Sequence, residues 1–245
     1  MTKNPETGIV TNIANFESLI TYLKGYGPKY DPSNPLLKIT ALESQYSAMQ
    51  ASQEALTAIY PGLTVARNQR KVAFDPLSPL ATRILNAAIA STTTEKTDES
   101  IKTLVRKIKG ERATPLKSAT DQTAADAPAP TQISSSQQGY NDLVENFNKL
   151  ISLLEKTPEY KPNEAELKID ALWTYHDSLI PLNKAVTEAE VLESNARIQR
   201  DELLDKANTG LVDTASDVKN YVKSVFGPTS SQYHQISGLK FTHKY

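Results

Sequence analysis

The sequence predicts an all-α protein made of two tandem, duplicated antiparallel helical bundles joined by a flexible linker. Three observations lead there. Apolar residues recur at three- and four-residue steps through most of the chain, the spacing that gathers side chains on one face of a helix. Nine glycines in 245 residues are few for the tight turns of an all-β protein. Finally, two long stretches repeat each other in register.

That register is visible when FESLITYLKGYGPKYDPSNPLLKITAL (16–42) is set over FNKLISLLEKTPEYKPNEAELKIDAL (147–172). Phe16, Leu19, Ile20 and Leu23 fall on Phe147, Leu150, Ile151 and Leu154. After a one-residue gap, Leu37-Lys38-Ile39 falls on Leu167-Lys168-Ile169, and ARNQR (66–70) meets ARIQR (196–200). Identities spaced this way along one frame indicate an internal repeat. The expected domains are a bundle over 1–112, a linker over 113–138, a second bundle over 139–229 and an extended tail over 230–245.

Each copy opens on an amphipathic helix, striped by Ile9, Ile13, Phe16, Leu19, Ile20 and Leu23 in one and by Tyr140, Leu143, Val144, Phe147, Leu150, Ile151 and Leu154 in the other. GYGPKYDPSNP and KTPEYKPNE end these helices, because proline disfavours helical geometry in the residue before it. Asn34 before Pro35 suits an N-cap, and Asn163 with Glu166 resembles a capping box. Second helices are expected at about 35–59 and 164–180, with Pro61-Gly62 and Pro181 as breaks. Third helices at about 63–74 and 183–206 carry the ARxQR segments, and fourth helices at about 77–90 and 211–226 follow. The last of these, striped by Leu211, Ala215, Val218, Val222 and Val225, is expected to close the second bundle on that bundle's own first three helices. Copy one adds a fifth helix over 99–110, striped by Ile101, Leu104, Val105 and Ile108 after a polar loop. Residues 113–138 offer no apolar face and read as linker.

The net charge of -1 gives no general case for a nucleic-acid or anionic-membrane partner. Residues 1–117 carry 15 Lys and Arg against 10 Asp and Glu, whereas 118–245 carry 12 against 18. If those halves were separate bodies, opposite charge would draw chains together head to tail, and salt would weaken the contact. The absence of cysteine removes disulfides, thiol catalysis and thiolate metal sites, and fits a reducing compartment. MTKNPETGIVTN shows no secretory signal, and no run approaches the roughly 20 apolar residues of a membrane span. A cytoplasmic location is the expectation.

For chemistry there is little material. The three histidines, His176, His234 and His243, form no metal-binding pair, and neither a phosphate-binding glycine loop nor a G-x-S-x-G segment occurs. No catalytic residue, metal ligand or cofactor is assigned. His176 reads as a core-edge residue, and the acidic residues of 188–202 as a solvated helix face. The candidate interaction residues are Arg67 and Arg70, their counterparts Arg197 and Arg200, and Tyr233 and Phe241 of the tail. Planar guanidinium groups at such positions bridge helices through carboxylates or hold a ligand phosphate.

ARIQRDELLDK, GLVDTASDVKNYVKSVFG and SSQYHQISGLKF together resemble the ending of a family of uncharacterised helical bacterial proteins. The resemblance covers chiefly copy two; PLATRILNAAIAS departs from it in copy one. It implies a helical fold and a bacterial origin, and carries over no functional residue. The function expected is a non-enzymatic structural or interaction protein, self-associating and with a protein or itself as partner. A helical bundle with an arginine-lined ligand or catalytic pocket is the alternative, and nucleic-acid binding through the basic N-terminal half is a second.

Overall fold

A computed structural model describes residues 5–111 and 138–244, with side chains of the first helix from Gly8 onward. The expected linker, 113–138, lies outside the described residues apart from Gln138. All regular structure among the described residues is helical. In order it comprises α1 (Pro5–Gly25), α2 (Ile39–Phe74), α3 (Leu77–Ala90), α4 (Glu95–Lys109), α5 (Tyr140–Glu155), α6 (Ile169–Asp205), α7 (Leu211–Phe226) and α8 (Ser231–Ser237). Short 3-10 turns cover Pro35–Leu37 and Ala165–Leu167 just before α2 and α6.

The stripes and punctuation account for most boundaries. Asn34 caps the turn before α2, its side chain accepting from the Leu36 amide at 3.0 Å. Thr94 caps α4, and Gly110 ends it in the left-handed conformation at φ 72, a geometry that favours glycine. At the start of α7 a Cβ on Gly210 would lie 2.6 Å from the Leu204 carbonyl, so that turn has room only for glycine. Asn163 does not cap as expected: Glu164 occupies the N-cap position of its turn and makes no side-chain cap bond.

Two predicted helix breaks are absent. Pro61 and Pro181 lie inside α2 and α6, which run on as single helices. Both prolines are exposed, as are Thr57 and Asp177 four residues earlier. The carbonyls that lose an amide partner therefore face water, and the ring projects outward instead of into a packed neighbour. The tail also differs from expectation, since α8 forms behind a Ser230 cap and only Gly238 and the described residues after it lie outside that helix.

The chain divides into two compact units, and they cut across the two copies. Unit 1 comprises residues 1–63 and 189–245; unit 2 comprises 64–188. Each therefore draws on the helices of both copies, in place of one bundle per copy. In unit 1, Phe16, Leu19, Leu23, Leu42 and Met49 share a core with Leu204, Leu211, Ala215, Val218, Val222 and Ile236. The α7 stripe packs on α1 of the other copy, and Tyr30 meets Tyr221 edge-on at 5.3 Å. In unit 2, Phe74, Leu77, Ala81, Ile84 and Ala88 of α2 and α3 share a core with Ile101, Val105, Phe147, Leu150, Ile151, Leu154, Leu172 and Leu179. Phe74 there meets Tyr140 edge-on at 4.8 Å, and the Tyr175 hydroxyl donates to the Ala73 carbonyl at 2.7 Å.

Several local geometries occur twice. The Tyr30 hydroxyl donates to the Leu37 carbonyl at 2.7 Å, and the Tyr160 hydroxyl to the Leu167 carbonyl at 2.9 Å. Leu77, Ala81, Ile84 and Ala88 hold the buried positions in α3 that Leu211, Ala215, Val218 and Val222 hold in α7.

Burial raises the phenols of Tyr160 and Tyr175 to about 12 from the usual 10.0, with Glu164 and Asp75 adding to the effect, and it raises Tyr30 as well. The unfolded chain loses these protons first, so their contribution to stability is complete below pH 10 and is lost as pH rises through 12. Thermal melts from pH 9 to 12 should show a steep loss of stability above pH 10. Phenolate absorbance for Tyr160 should rise together with loss of helicity, and its free titration near pH 10 in folded protein would contradict the burial.

Candidate functional site

The two ARxQR segments belong to different units. Arg67 and Arg70 lie on the part of α2 in unit 2, and Arg197 and Arg200 on the part of α6 in unit 1. The two second arginines have different surroundings. Arg70 is half-buried, its guanidinium 4.0 Å above the Tyr140 ring, and its Nε makes no hydrogen bond. Arg200 is fully buried at 0% exposure.

Arg200 donates to one carboxylate oxygen of Asp201 from Nε at 3.2 Å and from Nη2 at 3.0 Å. The other oxygen of Asp201 receives Lys244 of the tail. A second acidic pair continues the cluster: Asp205 accepts from His243 at 3.0 Å and from the Lys244 amide at 3.1 Å, and Asp213 lies 3.4 Å from the other ring nitrogen of His243. Asp205, five residues beyond Arg200, is thus engaged by the tail. Arg197 pairs along its own helix surface, 2.9 Å from Glu193.

The tail is held along its length. Tyr26 donates to the Gln232 carbonyl at 2.7 Å and Asn15 to that of Lys240 at 2.8 Å. Buried Asn12 takes both backbone groups of Thr242, donating to its carbonyl at 2.8 Å and accepting from its amide at 3.1 Å. Phe241 stands edge-on to Phe16 at 6.4 Å, beneath the ammonium of Lys219 at 5.1 Å. Lys219 also donates to the Leu239 carbonyl, and burial lowers its pKa. Tyr233 lies within 5.7 Å of the Lys223 ammonium. Phe241 and Tyr233 are therefore contacts within unit 1. The sequence pointed to these aromatics but not to Asn12 or Lys244, and Asp201, expected on a solvated helix face, is largely enclosed between Arg200 and Lys244. The three consecutive tail polar residues, Thr242-His243-Lys244, were the available signal.

Unit 2 holds an open groove of about 360 Å³ between α5 and α6. Val144 and Ile180 give it an apolar wall, and Asn141, Glu145, Asn183, Lys184 and Thr187 complete it. Asn183 donates to Asn141 at 3.1 Å, and its own carbonyl oxygen is buried without a partner. Glu145 pairs with Lys149 and Lys184 with Glu188. No ARxQR arginine lines this groove.

His176 is buried, not at the core edge, packed edge-on to Trp173 at 5.3 Å with Nδ1 2.9 Å from Asp177. Among the described residues, no three His, Cys, Asp or Glu side chains are placed to hold a metal ion, and no helix is long and apolar enough to cross a membrane. Comparison with protein-family models, curated proteins and solved structures finds no match for this chain.

Proposed function

We propose that this chain is a duplicated, non-enzymatic structural or interaction protein of the cytoplasm that associates with itself. The observation that carries the reading is the fate of the ARxQR arginines. Arg197 and Arg200 are occupied by carboxylates of their own helix, and Arg70 stacks on an aromatic face. Repeated geometries at Tyr30–Leu37 and Tyr160–Leu167 support the duplication.

Exposed apolar side chains supply the contact surface. On α6 of unit 1, Val191, Leu192 and Ile198 are 53%, 59% and 54% exposed. Charge does not supply it. Unit 1 carries 11 Lys and Arg against 12 Asp and Glu, and unit 2 carries 16 of each. The opposite halves of the sequence are interleaved in each unit, so the charge basis for head-to-tail assembly is gone, as is a basic unit for nucleic acid.

Association through this face should persist in high salt, because apolar burial is not screened. Light scattering against concentration is expected to show reversible oligomers that Val191→Glu with Ile198→Glu abolishes at unchanged helicity. A strict monomer at high concentration would refute it.

One observation favours a second reading, the unpartnered Asn183 oxygen in the unit 2 groove. A small molecule with an N–H donor and an apolar body would satisfy it. Saturable binding lost in Asn183→Leu would replace the first reading with this one.

A further inference from the structure

Each compact unit contains helices from both copies, and each core is built from residues of both. Residues 5–63 of copy one are completed by 189–244 of copy two, and residues 64–111 of copy one by 138–188 of copy two. Each core as it stands draws on both copies. Without its partner, copy one would expose Phe16, Leu19, Leu23, Phe74 and Leu77, all nearly inaccessible in the folded chain.

The residues that flank 112–137 already meet, since the Gln138 side chain donates to the Lys107 carbonyl at 2.8 Å. The chain's beginning and end meet likewise, through Asn12 and Thr242. Each copy therefore starts and finishes beside the other, as the subunits of an exchanged dimer do.

We propose that the two copies are complementary binding partners, and that two chains can exchange them to form a closed dimer in which copy one of each chain pairs with copy two of the other. This goes beyond reversible association through the α6 face, because the contact used is the core itself.

Pairing is selective. Asn12 of copy one aligns with Leu143 of copy two. In unit 1 the α1 face meets α8 and the tail, whose backbone satisfies Asn12; in unit 2 the α5 face meets the α4 stripe of Ile101, Val105 and Ile108. Two copies of copy one would bury Asn12 against that stripe with no partner, a loss on the order of 1–3 kcal/mol, or about 5- to 150-fold in favour of the mixed pair. Within one chain the two copies are covalently joined, so exchange between chains competes only when chains refold at high concentration, on the order of millimolar.

The test uses the full chain carrying Val191→Glu and Ile198→Glu, so that surface association is already removed, with a protease site placed within 112–137. After cleavage the pieces are unfolded, mixed with isotopically heavy pieces and refolded. The expected product is a one-to-one complex of copy one with copy two, with light and heavy pieces scrambled, full helicity and a melting temperature that falls on dilution. Uncleaved chain refolded near 1 mM should give a dimer that survives dilution. Pieces that separate with their helicity intact, or that pair only with their own kind, would overturn the proposal, as would uncleaved chain that refolds only as monomer.

Discussion

Replacing Arg200 by alanine is expected to cost about 3–5 kcal/mol, the effect of breaking a buried ion pair by removing one partner. Arg200 is fully buried, and Asp201 accepts two of its N–H groups. Alanine would leave a cavity where the guanidinium stood and would remove those donors from a largely buried carboxylate. Lys244 would remain to offset part of that charge. Arg70→Ala, at the equivalent place in the other copy, should cost only about 0.5–1 kcal/mol, the scale of an arginine on an aromatic face near the surface. Urea denaturation of the two variants reads the difference directly. Equal losses would mean that Arg200 is not buried as described.

Truncation after Ser230 should be nearly as severe. It removes Ile236, whose side chain is fully buried, and burial of such a side chain contributes about 1.5–3 kcal/mol. It also strips Asn12 of both its Thr242 partners, a further loss on the order of 1–3 kcal/mol. Phe16 loses the Phe241 ring, and Asp201 loses Lys244. A total near 4 kcal/mol is a large share of the roughly 5–15 kcal/mol that holds most domains. Hydrogen exchange should locate the damage: faster in α1 and α7, unchanged in α3, α4 and α5, which belong to the other unit. Uniform acceleration across both units would count against two separate cores.

Individual helices were legible because their information is local. The stripes of α1, α5 and α7 follow from spacing along one segment, and the boundaries of α3 and α7 match the sequence reading to the residue. The prolines misled for a reason that spacing does not encode. Whether Pro61 or Pro181 breaks a helix depends on whether its ring and the orphaned carbonyl face water, and exposure is a tertiary property. Partner choice was illegible for a different reason. The sequence carries similar apolar stripes at 16–23 and 147–154, so α7 could close on α5 or on α1 with similar apolar complementarity. One polar contact separates the two: Asn12, in the first half of the chain, takes both backbone groups of Thr242 in the second. Those residues lie far apart in sequence and form no motif. The ARxQR segment recurs in the sequence, but only the surroundings reveal that Arg200 is entombed and Arg70 half-exposed.

The most direct test of the interleaved units is a proton–proton contact that a tandem arrangement would not produce. Tyr30 belongs to copy one and Tyr221 to copy two, and their rings stand 5.3 Å apart, edge to face. In isotopically labelled protein, ring-to-ring nuclear Overhauser effects between Tyr30 and Tyr221 are predicted, along with effects from Phe74 to Tyr140, whose centroids are 4.8 Å apart. Their absence, with Tyr30 instead giving contacts to Ala81 and Ile84 of α3, would show that each copy folds on itself and would contradict the interleaved architecture.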